Sequence, residues 1–157
     1  MDFYQTNASA GNAVRRAETD TLNIAKEVLE TSPGVYPQLQ VGDVLTIDAA
    51  TGKFKLKTAV DEPAVGVVIV PNSTRNEQRV TVRSLFMAEL RASSAAGCAV
   101  GDLVWANGTN ATTGLPEFTT GSTGNLVDGL CTEVITANGE GRVLIYRSPI
   151  VVPAAGV

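Results

Sequence analysis

A chain of 157 residues with 44% hydrophobic and 18% charged side chains has the size and balance of one folded globular domain, not of a disordered segment. Its formal charge of −4 and pI near 4.8 provide no basic field for nucleic acid. Histidine is absent, which removes the commonest general base, the commonest metal ligand and every Ser-His or Cys-His dyad.

Residues 1–40 read as an N-terminal arm. The start, Met1-Asp2-Phe3-Tyr4-Gln5, has neither the basic nor the apolar region of a secretory signal, and no run of about 18 apolar residues occurs anywhere. A soluble protein made in a cytoplasm, with no membrane partner, is therefore expected. Small polar residues such as Asn7, Ser9 and Asn12 follow the aromatic tip of Phe3 and Tyr4, and Arg15-Arg16 is a basic pair suited to an acidic partner. From Asp20 to Glu30, Leu22, Ile24, Ala25, Val28 and Leu29 approximate a helical stripe; the competing reading is a strand through Leu22 and Ile24. Ser32-Pro33-Gly34 ends that element.

From Val41 the chain reads as β. Gly42-Asp43 supplies a turn before Val44-Leu45-Thr46-Ile47, and Thr51-Gly52 supplies another before Lys53-Phe54-Lys55-Leu56-Lys57. The alternation of this last segment places Phe54 and Leu56 in a core and its three lysines in water. Val65-Gly66-Val67-Val68-Ile69-Val70 has the length and continuous apolar character of a strand covered on both faces. Arg79 to Arg83 alternates with Val80 and Val82 on one side, and Phe86 to Arg91 reads as a further strand with Phe86, Ala88 and Leu90 inward.

The same signals then return. Val100-Gly101-Asp102-Leu103-Val104 follows Val41-Gly42-Asp43-Val44-Leu45 at an offset of 59, whereas Gly129 follows Gly66, and Arg142 follows Arg79, at 63. Four residues are thus expected to enter the second copy early, at the polar run Asn107-Gly108-Thr109-Asn110. The units are drawn at about 41–91 and 99–148 within a duplicated domain of 41–148, built as a compact barrel or sandwich. The tail 149–157 carries no charged side chain and two prolines, so it should lie extended against its own body or a neighbour.

Little in this pattern points to reactive chemistry. Gly42-Asp43 and Gly101-Asp102 read as structural turns, since calcium would need a denser set of oxygens. Asp61, Glu62, Glu89, Glu133 and Glu140 are carboxylates of solvated faces in the plainer reading and a glycosidase pair in the bolder one. Cys98 and Cys131 read as two reduced thiols. Trp105 and Tyr146 are the stacking platforms that a carbohydrate-binding module would use.

Val41 to Leu45, Pro63-Ala64-Val65-Gly66-Val67, Arg79 to Val82, Ala99 to Trp105, Thr113-Gly114, Gly129 and Arg142 to Ile145 together resemble the small β-barrel head decoration (capsid cement) proteins of tailed bacteriophages. The resemblance spans about residues 41–148 and lies in β-turn signals. It implies a non-enzymatic virion protein without cofactor on the outer capsid surface, often trimeric, whose partners are the major capsid protein and copies of itself. On that reading Phe3, Tyr4, Arg15 and Arg16 are the candidate capsid contacts. A head fibre base or a tail-tube subunit is the alternative virion role.

Overall fold

The computed structural model describes residues 23–72, 79–84 and 88–154. It is all-β, with ten strands: β1 Asn23–Glu27, β2 Val44–Ile47, β3 Phe54–Leu56, β4 Gly66–Val70, β5 Arg79–Ser84, β6 Ala88–Ser94, β7 Leu103–Thr109, β8 Pro116–Thr120, β9 Leu126–Cys131 and β10 Gly139–Val151. The first five form a sheet in the order β1-β5-β4-β2-β3, and the last five a closed barrel in the order β10-β6-β8-β7-β9. Read from β6, the barrel runs β6-β10-β9-β7-β8, the same order strand for strand. The closing contact is parallel in both halves: Val28 bridges Phe54 beside β1, and Ser93 bridges Glu117 between β6 and β8.

The duplication is carried by the backbone. Leu45 faces Gly66 and Val104 faces Gly129; Ile47 faces Phe54 and Ala106 faces Phe118; Val68 faces Val82 and Cys131 faces Val143. These pairings fix the offsets. Ala106 follows Ile47 by 59 residues, Asn110 follows Asp48 by 62 and Phe118 follows Phe54 by 64, so Asn107-Gly108-Thr109 enters in β7 and two further residues enter before Phe118, of which one is given back before Gly129. Val143 follows Val82 by 61, not 63, because the connection from β9 to β10 is two residues shorter than that from β4 to β5. A shift of two preserves the inward face of a strand, which is why the Arg-Val alternation could be matched in the wrong register.

Two readings of the first half change. The stripe over Asp20–Glu30 gives way, where described, to strand β1, whose Asn23 to Glu27 pair with Arg83 to Arg79 of β5. Asn23, Ile24 and Ala25 are exposed, so the described apolar residues form no helical face, and among them Val28 alone is fully buried. Tertiary strand pairing overrides a weak helical pattern here. Lys57 is also not in water: it lies past the end of β3, where the period of two no longer binds it, and its side chain is wholly buried. β6 pairs with β10 and β8, opening the second half rather than closing the first. Phe86 lies outside the described residues.

β2 and β4 explain how the halves are joined. Leu45 and Val68 point into a core with Val28, Tyr36, Leu39 and Phe54, while their neighbours Val44 and Val67 point into the core of the second half, with Val104, Phe118 and Val143. Both strands are covered on two faces, which accounts for the continuous apolar run from Val65. The tail continues β10, with Ile150 opposite Val127 and Val151 opposite Leu126 after an irregularity that contains Pro149.

Gly66 and Gly129 hold equivalent places where β4 and β9 pass the last strand of each half. A Cβ on Gly66 would collide with the Arg83 carbonyl oxygen, and one on Gly129 with that of Leu144. Gly66→Ala and Gly129→Ala should each cost about 1–3 kcal/mol in denaturant unfolding, as overpacking does, whereas Gly114→Ala, with open space around it, should lose only the smaller cost of its positive φ.

Candidate functional site

Each Gly-Asp corner is a turn closed by the same four backbone and side-chain contacts. Asp43 N–H donates to the Gln40 carbonyl at 3.1 Å and Asp102 N–H to that of Ala99 at 3.2 Å. The aspartate side chain returns a bond, accepting from Gln40 N–H at 2.8 Å in the first corner and from Ala99 N–H at 2.9 Å in the second. Gly42 N–H donates to Val68 O and Gly101 N–H to Cys131 O, and Val68 and Cys131 donate back to the carbonyls of Asp43 and Asp102. Gly42 and Gly101 take φ of 98° and 93°, a region that disfavours any side chain. The two aspartates therefore serve the turns of their own units.

Their surroundings differ. Asp43 is buried and also receives the Thr109 hydroxyl at 3.3 Å. Burial raises its carboxyl above the ordinary value of 3.8 against the lowering effect of these two hydrogen bonds. Thr109 belongs to the insertion of the second unit, and its neighbour Gly108 donates to the Lys57 carbonyl at 2.8 Å. The inserted residues are thus a strap that ties β7 to the first unit.

Beneath the strap lies the one fully buried ion pair among the described residues. Lys57 Nζ is 2.7 Å from Asp128 Oδ2, and both side chains are 0% exposed. The Trp105 ring covers the ammonium, with its centroid 5.4 Å away. Asp128 Oδ2 also accepts from the Ala106 N–H at 2.8 Å, whereas Oδ1 is buried without a hydrogen-bond partner. Burial raises the Asp128 carboxyl, and Lys57 and Ala106 oppose that rise. Lys57 comes from the first unit and Asp128 from the second, so the pair is a clasp between them.

The surface carries two contrasting charge groups. On and beside the strands β6 and β10, Arg91 pairs with Glu140, and Arg142 with Glu89 and Glu133; three acids of the bolder carboxylate reading are thus engaged in exposed ion pairs, each worth little by itself, and a fourth, Glu62, pairs with Lys55. In the first unit, Lys26, Lys53 and Arg79 line an open cleft of about 270 Å³ with the single carboxylate of Glu27. Lys53 pairs with Glu27 at 3.4 Å, and Lys26 stands 5.9 Å from the centroid of the Phe54 ring. Neither Lys26 nor Arg79 has an ion-pair partner among the described residues.

Phe3, Tyr4, Arg15 and Arg16 lie outside the described residues. Trp105 is half-buried, and its ring is engaged with Lys57. Cys98 and Cys131 are free buried thiols; burial first, then the neighbouring Cys131, pushes Cys98 up to about 11, so it stays protonated at neutral pH. No three Cys, Asp or Glu side chains gather to hold a metal among the described residues, and no helix there is long and apolar enough to cross a membrane. The alternation that places Lys57 on a solvated face hides the clasp in the sequence. Its traces were a lone acid in the apolar run Leu126-Val127-Asp128-Gly129-Leu130 and the absence of lysine after Lys57.

Among solved structures, the chain is similar to the head fiber gp8.5 N base of bacteriophage phi29, with a TM-score of 0.45 and 11% identity over 83% of this chain and 98% of that one. No protein-family model and no curated protein matches the sequence.

Lys57→Met leaves Asp128 buried without its cation and should cost about 3–5 kcal/mol of unfolding free energy; adding Asp128→Leu should return part of it, because an apolar pair of similar volume replaces a broken buried pair. Asp43 gives a pH prediction of definite sign. A carboxyl whose folded pKa is raised destabilises the fold as pH climbs from its ordinary value of 3.8 through its folded value. Asp43→Asn keeps an acceptor for Gln40 N–H and removes that titration, so its stability relative to the unmodified chain should increase over this window and level off above it in urea melts at stepped pH.

Proposed function

We propose that this chain is a structural protein of a tailed-bacteriophage virion that sits on the outer capsid surface and stabilises the shell by bridging neighbouring major capsid subunits. It acts as a homotrimer, without enzymatic activity or cofactor, and is made in the host cytoplasm. The observation that carries the reading is the repeated Gly-Asp corner. The turn signals on which the resemblance rests are spent on matched backbone contacts in two joined β units, and the same joining commits Lys57 and Asp128 to each other. Such a body suits a rigid clamp. Negative net charge suits a position away from packaged DNA, where it would be repelled.

Bridging requires surfaces that the fold does not already use. The N-terminal arm supplies Phe3, Tyr4, Arg15 and Arg16, and the first unit supplies the cleft with Lys26 and Arg79. An acidic segment of the capsid subunit complements both. Contacts that are weak singly become strong attachment when several copies or several sites bind one particle.

Co-sedimentation with expanded capsids and the capsid disruption temperature test this. The purified chain should bind and raise that temperature. Deleting residues 1–16 should weaken binding while leaving the β-sheet spectrum and melting unchanged; unchanged binding removes the arm from the contact. Lys26→Glu with Arg79→Glu should weaken binding by about tenfold, equal to about 1.4 kcal/mol, at low ionic strength. Rings or filaments of the purified chain that ignore capsids would assign it instead to a fibre base or tail tube.

A further inference from the structure

The clasp holds an amine and a carboxyl group at hydrogen-bond distance in a place closed to solvent. Lys57 Nζ has one oxygen within hydrogen-bond distance, Asp128 Oδ2, and an aromatic face on another side. Asp128 has both its hydrogen bonds on that same oxygen, from Lys57 and from the Ala106 N–H, while Oδ1 has none. A buried ion pair recovers its desolvation only when the remaining protons and lone pairs are satisfied, and here they are not. Proton transfer along the 2.7 Å contact gives a neutral amine beside a neutral acid, which the interior tolerates better than two charges. The elevated carboxyl affinity for a proton, caused by burial, acts in the same direction.

We propose that Lys57 and Asp128 condense to an isopeptide bond that joins the two units covalently. The Lys57 proton passes to the carboxylate, leaving Nζ with a free electron pair. Nζ attacks the Asp128 carboxyl carbon, forming the N–C bond. The proton taken up along the Nζ–Oδ2 contact sits on Oδ2, so Oδ1 takes the negative charge of the tetrahedral centre and becomes the amide oxygen. Oδ2 receives its second proton from the attached Nζ and leaves as water when the C–Oδ2 bond breaks. The balance is one ammonium and one carboxylate giving one amide and one water, with no oxidant, reductant or further reactant. Enforced proximity can be worth an effective concentration of about 10⁵–10⁸ M, and the product removes two charges from the core. Unit 1 and unit 2 are then linked across 71 positions of chain.

Intact-mass measurement of the full chain, folded and then denatured, tests this directly. The chain should be lighter than its sequence mass by one water, and a protease digest should contain one branched peptide carrying Lys57 and Asp128. Lys57→Arg should restore the full mass. Asp128→Asn should lose one ammonia instead of one water. A chain of full sequence mass overturns the proposal. So does a water loss that persists in Lys57→Arg without a branched peptide, which is the signature of Asp128 cyclising onto the Gly129 nitrogen.

Discussion

The structure depends first on the backbone exchange at the Gly-Asp corner. Gly42 donates to Val68 and Val68 to Asp43, and again Gly101 donates to Cys131 and Cys131 to Asp102, across the point where β2 and β7 begin. Those bonds set the register of β2 against β4 and of β7 against β9. Register decides which neighbours face which core, since a slip of one residue would exchange Val44 with Leu45 and Val67 with Val68. Because the two faces of these strands belong to two different cores, one corner determines both the inside of its unit and the seam with the other. The side chain of the aspartate closes the turn, and glycine alone gives the dihedral without strain.

Equivalent backbones do not carry equivalent chemistry. The place of Lys57 in the first unit is that of Gly121 in the second: Lys57 donates to Val44 O at 3.0 Å and Gly121 to Leu103 O at 2.7 Å. The place of Asp128 is that of Val65, as each precedes the glycine paired with β2 or β7. The clasp therefore exists once, at the seam, and not twice. The three-residue insertion has the same one-sided character, since Gly108 and Thr109 reach into the first unit and the shorter β2 has no counterpart to send back.

The all-β character and most strands of the repeat could be read from the sequence, because glycine at positive φ and strict alternation are local signals. Gly42, Gly52, Gly101 and Gly114 announce their turns, and Val80 and Val82 point inward as alternation requires. What escaped was set by distant partners. β1 takes its form from pairing with β5, and its counterpart β6 shares the role but little of the sequence, so neither looked like the start of a unit. Lys57 escaped for a related reason: a lysine one residue beyond a strand obeys no periodicity, and its acid lies 71 positions away.

The asymmetry at Gly121 also explains why the clasp is single. A Cβ there would strike the Val127 side chain, so β9 itself occupies the space that a lysine stem would need. In the first unit the equivalent place is held by Lys57, whose side chain passes inward to Asp128. The second copy thus supplies the acid, the Trp105 lid and the strap, while the first supplies the cation, and neither unit can complete this contact alone. Joining of that kind converts two similar units, each with few strands and a thin core, into one body whose halves must be separated together.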